Sequence, residues 1–469
     1  MSGKSSPWTA RFEGLLNREA IRSRAEIQPN FLQGLLDRPT HLAVSALELA
    51  LSELMVLTEV ELDILVRFVK QAHSYSVRAY PDLRTYIAQL HADEIDVLSP
   101  APVCFTGLAG AGKSALLSAL ARALPDDAQL DLNLPITNGK ILTRSSVLIR
   151  VNGNTNFAEL LQPWLPSEVR NDKVNDERDS ARSGIGRTGI PEVVRRAARF
   201  SYRSGLCASV VDEMQFMTQS SVANAKVTQF LLLASYLKVP LIYCANYSLC
   251  HKLLKRNNED QDRLLAKPLV LLPLGLDDDG LGRLLRAYDV VMRDVLDGSL
   301  CQFMGDFATM TLGIKRKVWK LTIESYRFMR EKGHTKLRIE HIRGAFEKNL
   351  SESYHRDIRD LKRQSIEGKP VRGRSDIWCP FGDDFNRLEM ASAKVQRDEE
   401  KRINHALMLD SLNLSERKNL DRLKAVLDGK PESSSPRRKK ADVVELPTSR
   451  KGGLSAADLL KNTMSNRDH

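Results

Sequence analysis

The residues of this chain best suited to chemistry on a phosphate are Gly107-Leu108-Ala109-Gly110-Ala111-Gly112-Lys113-Ser114, which fit G-x-x-x-x-G-K-[ST] at every required position. Small residues in such a loop let backbone N–H groups turn inward around an anion, and the dipole of a following helix favours negative charge. Gly107 through Ala115 are therefore the expected nucleotide-binding residues. Lys113 would reach the β- and γ-phosphates of ATP, and the Ser114 hydroxyl would sit on Mg²⁺.

The flanking elements have to hold that loop. Val103-Cys104-Phe105-Thr106 before it is a short β-prone run, and Ala115 through Leu124 after it reads as a helix. A second cluster closes another apolar run, Leu206 through Val211, with Asp212-Glu213. Two carboxylates at the end of a buried strand carry an electrostatic cost that a bound Mg²⁺ offsets. In P-loop ATPases the first acid helps hold the metal, which assigns Asp212 to it beside Ser114. The second is placed to take a proton from attacking water, so Glu213 is the expected general base. A third run, Pro240 through Ala245, ends in Asn246, an amide for the attacking water or γ-phosphate, or else a turn residue capping the strand. With Ser146–Val151 and Leu269–Leu274, five short apolar runs alternate with helical stretches, the pattern of a parallel sheet covered on both faces.

The rest of the chain divides around this α/β core. Residues 1–98 read as a helical N-terminal extension, with helices from Leu42 to Leu57, Val60 to Ala72 and Leu83 to Leu90, a start at Thr58-Glu59 and a break at Tyr80-Pro81-Asp82. The core spans 99–275. Within it Phe157–Gln162 reads as a helix stopped by Pro163, and 170–188 as an exposed polar loop. Residues 276–352 carry four helical stretches and read as a helical lid. Residues 353–469 are basic and in part low in complexity, with an aromatic island at Ile377-Trp378-Cys379-Pro380-Phe381, and read as a partly disordered partner-binding region.

Composition bounds the setting. A net charge of +11 favours a polyanionic partner, and no apolar run approaches a membrane span, so no membrane partner is expected. No secretion signal is read at the N-terminus. The six cysteines form no C-x-x-C pair, and His251 beside Cys250 has no second cluster to complete a metal site. A reducing cytoplasmic location without structural zinc is expected.

The order of the motifs resembles an AAA+ ATPase, and within that group the transposition regulators TnsC and TniB, relatives of the MuB and IstB target-selection ATPases. The resemblance rests on GLAGAGKS at 107–114, SVVDEMQ at 209–215, PLIYCAN at 240–246, DRLLAKPLVLLPL at 262–274 and TLGIKR at 311–316. It implies that Asn246 senses the γ-phosphate, that Arg263 is an arginine finger completing a neighbouring subunit's site, and that Arg316 is the lid sensor. It further implies an ATPase with ATP and Mg²⁺ as cofactors, assembling as a ring or helical homo-oligomer on double-stranded DNA without reading its sequence, and meeting a transposase and target-selector proteins. Two other readings share the motifs: a loader or remodeller in replication, repair or phage defence, and a nucleotide switch that binds no DNA. On the residues alone, Arg263 is equally a salt-bridge partner of nearby acids, and Lys315 and Lys317 flank Arg316 with the same charge.

Overall fold

The computed structural model describes residues 6–92, 94–98, 101–131, 140–152, 160–165, 190–218, 223–266, 268–275 and 279–382. The polar loop at 170–188 and the tail beyond 382 lie outside them. The N-terminal block folds as α1 (Pro7–Ala10), α2 (Arg18–Ala25), α3 (Thr40–Glu53), α4 (Glu59–Ala79) and α5 (Leu83–His91). Thr58 starts α4 through a capping box in which its hydroxyl accepts from Glu61 N–H while the Glu61 carboxylate accepts from Thr58 N–H, both at 3.1 Å. Asp82 caps α5.

The core begins with β1 (Val103–Gly107) and α6 (Lys113–Ala123). A hairpin of β2 (Ala128–Asp131) and β3 (Lys140–Thr143) follows, then β4 (Ser146–Arg150). Leu160 and Leu161 are helical, and the chain passes into a 3-10 turn over Gln162–Trp164 that contains Pro163. The expected helix from Phe157 lies mostly outside the described residues. The core continues with α7 (Ile190–Arg203), β5 (Ala208–Asp212), α8 (Ala223–Ser235), β6 (Leu241–Ala245), α9 (Tyr247–Leu253), α10 (Asn258–Leu264) and β7 (Leu269–Leu271). Pro273 fits the early end of β7.

The five expected strands form one parallel sheet in the order β4-β5-β6-β1-β7. Side-chain alternation sends successive strand residues to opposite faces. Phe105, Val210, Ile242 and Cys244 thus enter one core, and Cys104, Val211, Tyr243 and Ala245 the other. α8 and α9 cover the second face, contributing Phe230, Leu231 and Leu249. The first face carries α6 and continues without interruption into α4 of the N-terminal block and the helices after the sheet.

Those helices are α11 (Gly280–Val291), α12 (Met304–Thr311), α13 (Lys315–Glu331), α14 (Ile339–Lys348) and α15 (Glu352–Glu367). The lid is fastened to the N-terminal block where Tyr326 Oη donates to the Leu35 carbonyl at 2.6 Å, joined there by Arg330. Residues 353–382, grouped by composition with the tail, are folded. Arg374 clasps Asp357 (2.8 Å), Asp360 (2.7 Å) and Asp376 (3.0 Å). The Gln364 amide donates to the Ile377 carbonyl at 3.1 Å. The aromatic island packs on its own chain: Ile377 and Cys379 are buried, and the Trp378 carbonyl meets His251 Nε2 at 3.0 Å. No helix among the described residues is long and apolar enough to cross a membrane.

His334, Glu340 and His341 converge at the start of α14. His341 is buried, and its Nδ1 accepts from Arg338 N–H at 2.9 Å. The neutral ring therefore carries its proton on Nε2, which faces His334 Nδ1 at 2.7 Å. His341 thus bridges the Arg338 N–H and His334, and caps the start of α14. Burial lowers the His341 pKa from 6.5; His334 and Arg338 add to the shift and Glu340 opposes it. The unfolded chain then binds the proton more readily, so this contribution to stability is complete above pH 6.5 and declines as pH falls toward the lowered value. Replacing His341→Gln, which keeps an acceptor for Arg338, should lessen the acid-side drop in melting temperature. Parallel melting profiles of the two proteins from pH 8 to pH 5.5 would refute the assignment.

Candidate nucleotide site

β1 delivers the loop and α6 begins at Lys113, so the motif occupies the turn between a buried central strand and a helix N-terminus. Gly110 and Gly112 adopt φ of +84° and +109°, conformations that suit glycine. They are also pressed from outside. A Cβ on Gly110 would lie 2.8 Å from Arg316 Cβ, and one on Gly112 would lie 3.0 Å from Lys315 Cδ. The loop is braced by Lys113, whose Nζ donates to the carbonyls of Gly107 (2.9 Å) and Leu108 (2.8 Å). It is braced again by the lid, where Arg316 N–H donates to the Gly110 carbonyl at 3.0 Å.

Asp212 ends β5 and is 1% exposed. Its Oδ1 accepts from Glu213 N–H at 2.8 Å. Glu213 has φ +60°, a left-handed conformation costing about 1–2 kcal/mol for a residue with a Cβ. The Gln215 amide donates to Glu213 Oε2, which fixes that carboxylate beside the loop. At the end of β6, Asn246 Oδ1 accepts from Leu249 N–H (3.1 Å) and the Ser248 hydroxyl (2.8 Å), capping α9. Asn246 thus caps the helix that follows the strand with its side-chain oxygen, and the residue also lines the cavity. Burial holds the neighbouring Cys244 thiol protonated, opposed by the Lys113 charge and reinforced by Asp212 and Glu213.

These residues line one cavity of about 830 Å³. Its lining includes Gly110, Gly112, Lys113, Ser114, Ala115, Asp212, Glu213, Asn246 and Arg316. Lys315 also lines it but is ion-paired to Glu61 at 2.6 Å, the carboxylate being 2% exposed. Lys317 points elsewhere, bonding Asp357 at 3.2 Å over the Tyr354 ring. Of the three lid cations Arg316 is the one that faces the cavity without an acidic side-chain partner among the described residues. Arg263 lines no part of this cavity; it stands on α10, 56% exposed, 3.8 Å from Glu259. Sequence reasoning missed the apolar residues of the lining. Leu51, Leu54, Met55 and Val56 from the N-terminal block, Leu284 and Tyr288 from α11, and Trp319 from α13 supply the apolar part of the cavity wall. No catalytic side chain marks those stretches, so their part in a site was not legible. Arg150, at the end of β4 in register with Asp212, bonds Ser118 and lines the adjoining opening.

The residues present fit a nucleotide with Mg²⁺. A lysine and a helix N-terminus line the cavity, and Ser114 and the buried Asp212 line it with them as oxygen ligands. A bound Mg²⁺ would supply charge stabilisation to the phosphates. Strand order, loop and carboxylate pair together define the fold class: an α/β P-loop fold of the AAA+ kind, with a site suited to a nucleoside triphosphate. No protein-family model matches the sequence, and no curated protein matches it. Among solved structures the chain is similar to the Orc1 protein of Aeropyrum pernix in complex with DNA, with 16% identity, TM-score 0.40, and coverage of 80% of this chain and 84% of that one. It is also similar to Cdc6p of Pyrobaculum aerophilum (14% identity, TM-score 0.37, 70% and 78% covered). A third likeness is to the RuvB Holliday junction branch migration motor of Thermotoga maritima (12%, TM-score 0.28, 61% and 76%). The class rests on the strand order and the site, not on these likenesses.

The Glu61–Lys315 pair joins the N-terminal block to the lid directly beneath Gly112. Removing one partner strands the other charge in a poorly solvated position, so Lys315→Met should destabilise the protein by about 3 kcal/mol. Adding Glu61→Gln should recover most of that loss. Urea denaturation of the wild type, both single variants and the double variant measures the coupling, and strictly additive effects would contradict it.

Proposed function

We propose that this protein is a cytoplasmic ATPase regulating DNA transposition. With Mg-ATP it assembles as a ring or helical homo-oligomer on double-stranded DNA, and in that form it recruits a transposase and target-selector proteins. Hydrolysis disassembles it. The observation that carries the ATPase part is the convergence of Lys113, Ser114, Asp212, Glu213, Asn246 and Arg316 on one cavity. In this reading Lys113 holds the phosphates, Ser114 and Asp212 hold Mg²⁺, Glu213 takes the proton from water oriented by Asn246, and Arg316 stabilises charge from the lid. The oligomeric part is supported by Arg263, which is exposed on α10 and outside its own cavity, as a residue serving a neighbour has to be. A cation supplied in trans is worth orders of magnitude in rate. The transposition part is supported by the motifs shared with the TnsC and TniB regulators and by the net charge of +11.

Three measurements test this reading. Glu213→Gln should keep ATP and DNA binding and lose turnover by at least about a hundredfold, since general base catalysis contributes on that order; near-normal turnover would remove Glu213 as base. Arg263→Ala should be inactive alone, yet regain ATPase activity when mixed with Lys113→Ala, because each variant lacks a different part of a shared site. No recovery in any mixing ratio would argue against a finger in trans. Wild-type protein should bind duplex DNA with ATP, and affinity should fall log-linearly with salt and be indifferent to sequence. ATP-dependent assembly without any DNA binding would favour the nucleotide switch instead.

A further inference from the structure

A regular helix would keep Glu213 and Gln215 apart, since residues two positions apart do not face each other. Here Glu213 takes φ +60° and the chain passes straight into a 3-10 turn over Met214–Thr218. Phe216 N–H donates to the Glu213 carbonyl at 3.1 Å and closes the bend. Met214 is fully buried in the core on the second face of the sheet, which anchors the turn. Glu213 and Gln215 are left half-buried, both on the lining of the cavity. The Gln215 amide donates to Glu213 Oε2, whereas Glu213 Oε1 has no hydrogen-bond partner among the described residues.

A base beside a triphosphate has an electrostatic difficulty. Glu213 follows Asp212 directly, and both carboxylates line the cavity where the phosphates would lie. Like charges push a long side chain out of such a place. A lysine or arginine partner would hold the carboxylate, but an adjacent positive charge also weakens its hold on a proton. A neutral amide grips one oxygen and leaves the other, still charged, to accept. We propose that Gln215 is a positioning residue for hydrolysis, fixing Glu213 by Oε2 so that Oε1 takes the proton of the attacking water. In that step the water oxygen bonds to the γ-phosphorus and its proton passes to Oε1. The bond from phosphorus to the bridging oxygen breaks, and its electron pair leaves with ADP. Gln215 itself forms no bond in this step and acts through Glu213. The proposal rests on the reading of Glu213 as base and adds the residue that keeps that base in line.

The test is single-turnover hydrolysis of Mg-ATP by the full chain. Gln215→Met keeps the length of the side chain and deletes the donor. Its rate should fall about tenfold while ATP affinity stays within about twofold, the split expected where only the chemical step is served. In a Glu213→Gln background the same substitution should cost nothing more, because the carboxylate it positions is already gone. Gln215→Asn withdraws the amide by one methylene and should lose rate as Gln215→Met does, a second reading if that variant folds poorly. Normal rates in both Gln215 variants would overturn the proposal. So would a faster rate, which marks a latch holding the base back, or equal losses of rate and ATP affinity, which mark a merely structural role. A further loss in the Glu213→Gln background would overturn it too, by placing the effect elsewhere in the site. Normal turnover in Glu213→Gln alone is a different result, since it removes the base and not its support.

Discussion

The fold depends on the contact between the phosphate loop and the first turn of α13. The Gly110 carbonyl accepts from Arg316 N–H, and the absence of a side chain at Gly110 lets Arg316 Cβ approach it. Glycine in this loop therefore answers two demands at once. Its N–H groups must turn toward an anion, and its outer surface must be bare enough for a second element to seat against it. An alanine at Gly110 would fail both, through its positive φ and through collision with the lid. Loop geometry and lid position are thus a single variable, and a ligand that reshapes the loop acts on the lid through that contact.

The lid is not free to answer alone. Lys315 ties its first residue to Glu61, which also closes the capping box of α4, so one carboxylate terminates a helix of the N-terminal block and anchors the lid. Further along α13, Tyr326 and Arg330 grip the Leu35 carbonyl. The apolar core is continuous through these contacts: Phe68, Phe105, Leu117, Leu321 and Met329 belong to one buried cluster. Close-packed interiors transmit displacement rather than absorb it. The N-terminal block is accordingly a wall of the cavity, through Met55 and Val56, and a fixed support for the lid, rather than an appendage to the core.

How far the sequence discloses this varies with the kind of signal. All five parallel strands were legible because central strands buried on both faces read as unbroken apolar runs; β1, β5 and β6 are buried throughout. Helix limits followed local chemistry, as at Thr58 and Asp82. The β2–β3 hairpin was missed because Ala128–Asp131 and Lys140–Thr143 are short and partly exposed. α10 was passed over because its residues are nearly all polar; its start is set by Asn257 accepting from Asp260 N–H. In the site, residues with reactive groups announced themselves through motifs. The apolar wall did not, since Leu51, Met55 and Leu284 are indistinguishable in a sequence from core residues, and only their arrival at one cavity separates them.

The run Lys315-Arg316-Lys317 shows why charge alone could not assign the lid's role. Successive helical residues point about 100° apart, so three cations in a row face three directions. Lys315 turns toward the N-terminal block and is neutralised by a buried carboxylate. Lys317 turns toward α15, where burial lowers its pKa and Asp357 partly restores it. Arg316 alone of the three is directed at the cavity with its guanidinium uncommitted to an acid among the described residues. The direction follows from the buried face of α13, which packs Val318, Leu321, Tyr326 and Met329 into the core, and the bond from Arg316 N–H to the Gly110 carbonyl joins its first turn to the loop in that rotation. A rotation by one residue would offer the phosphates a lysine already spent on Glu61 or on Asp357. The rotation of α13 against the loop thus decides which cation the lid presents.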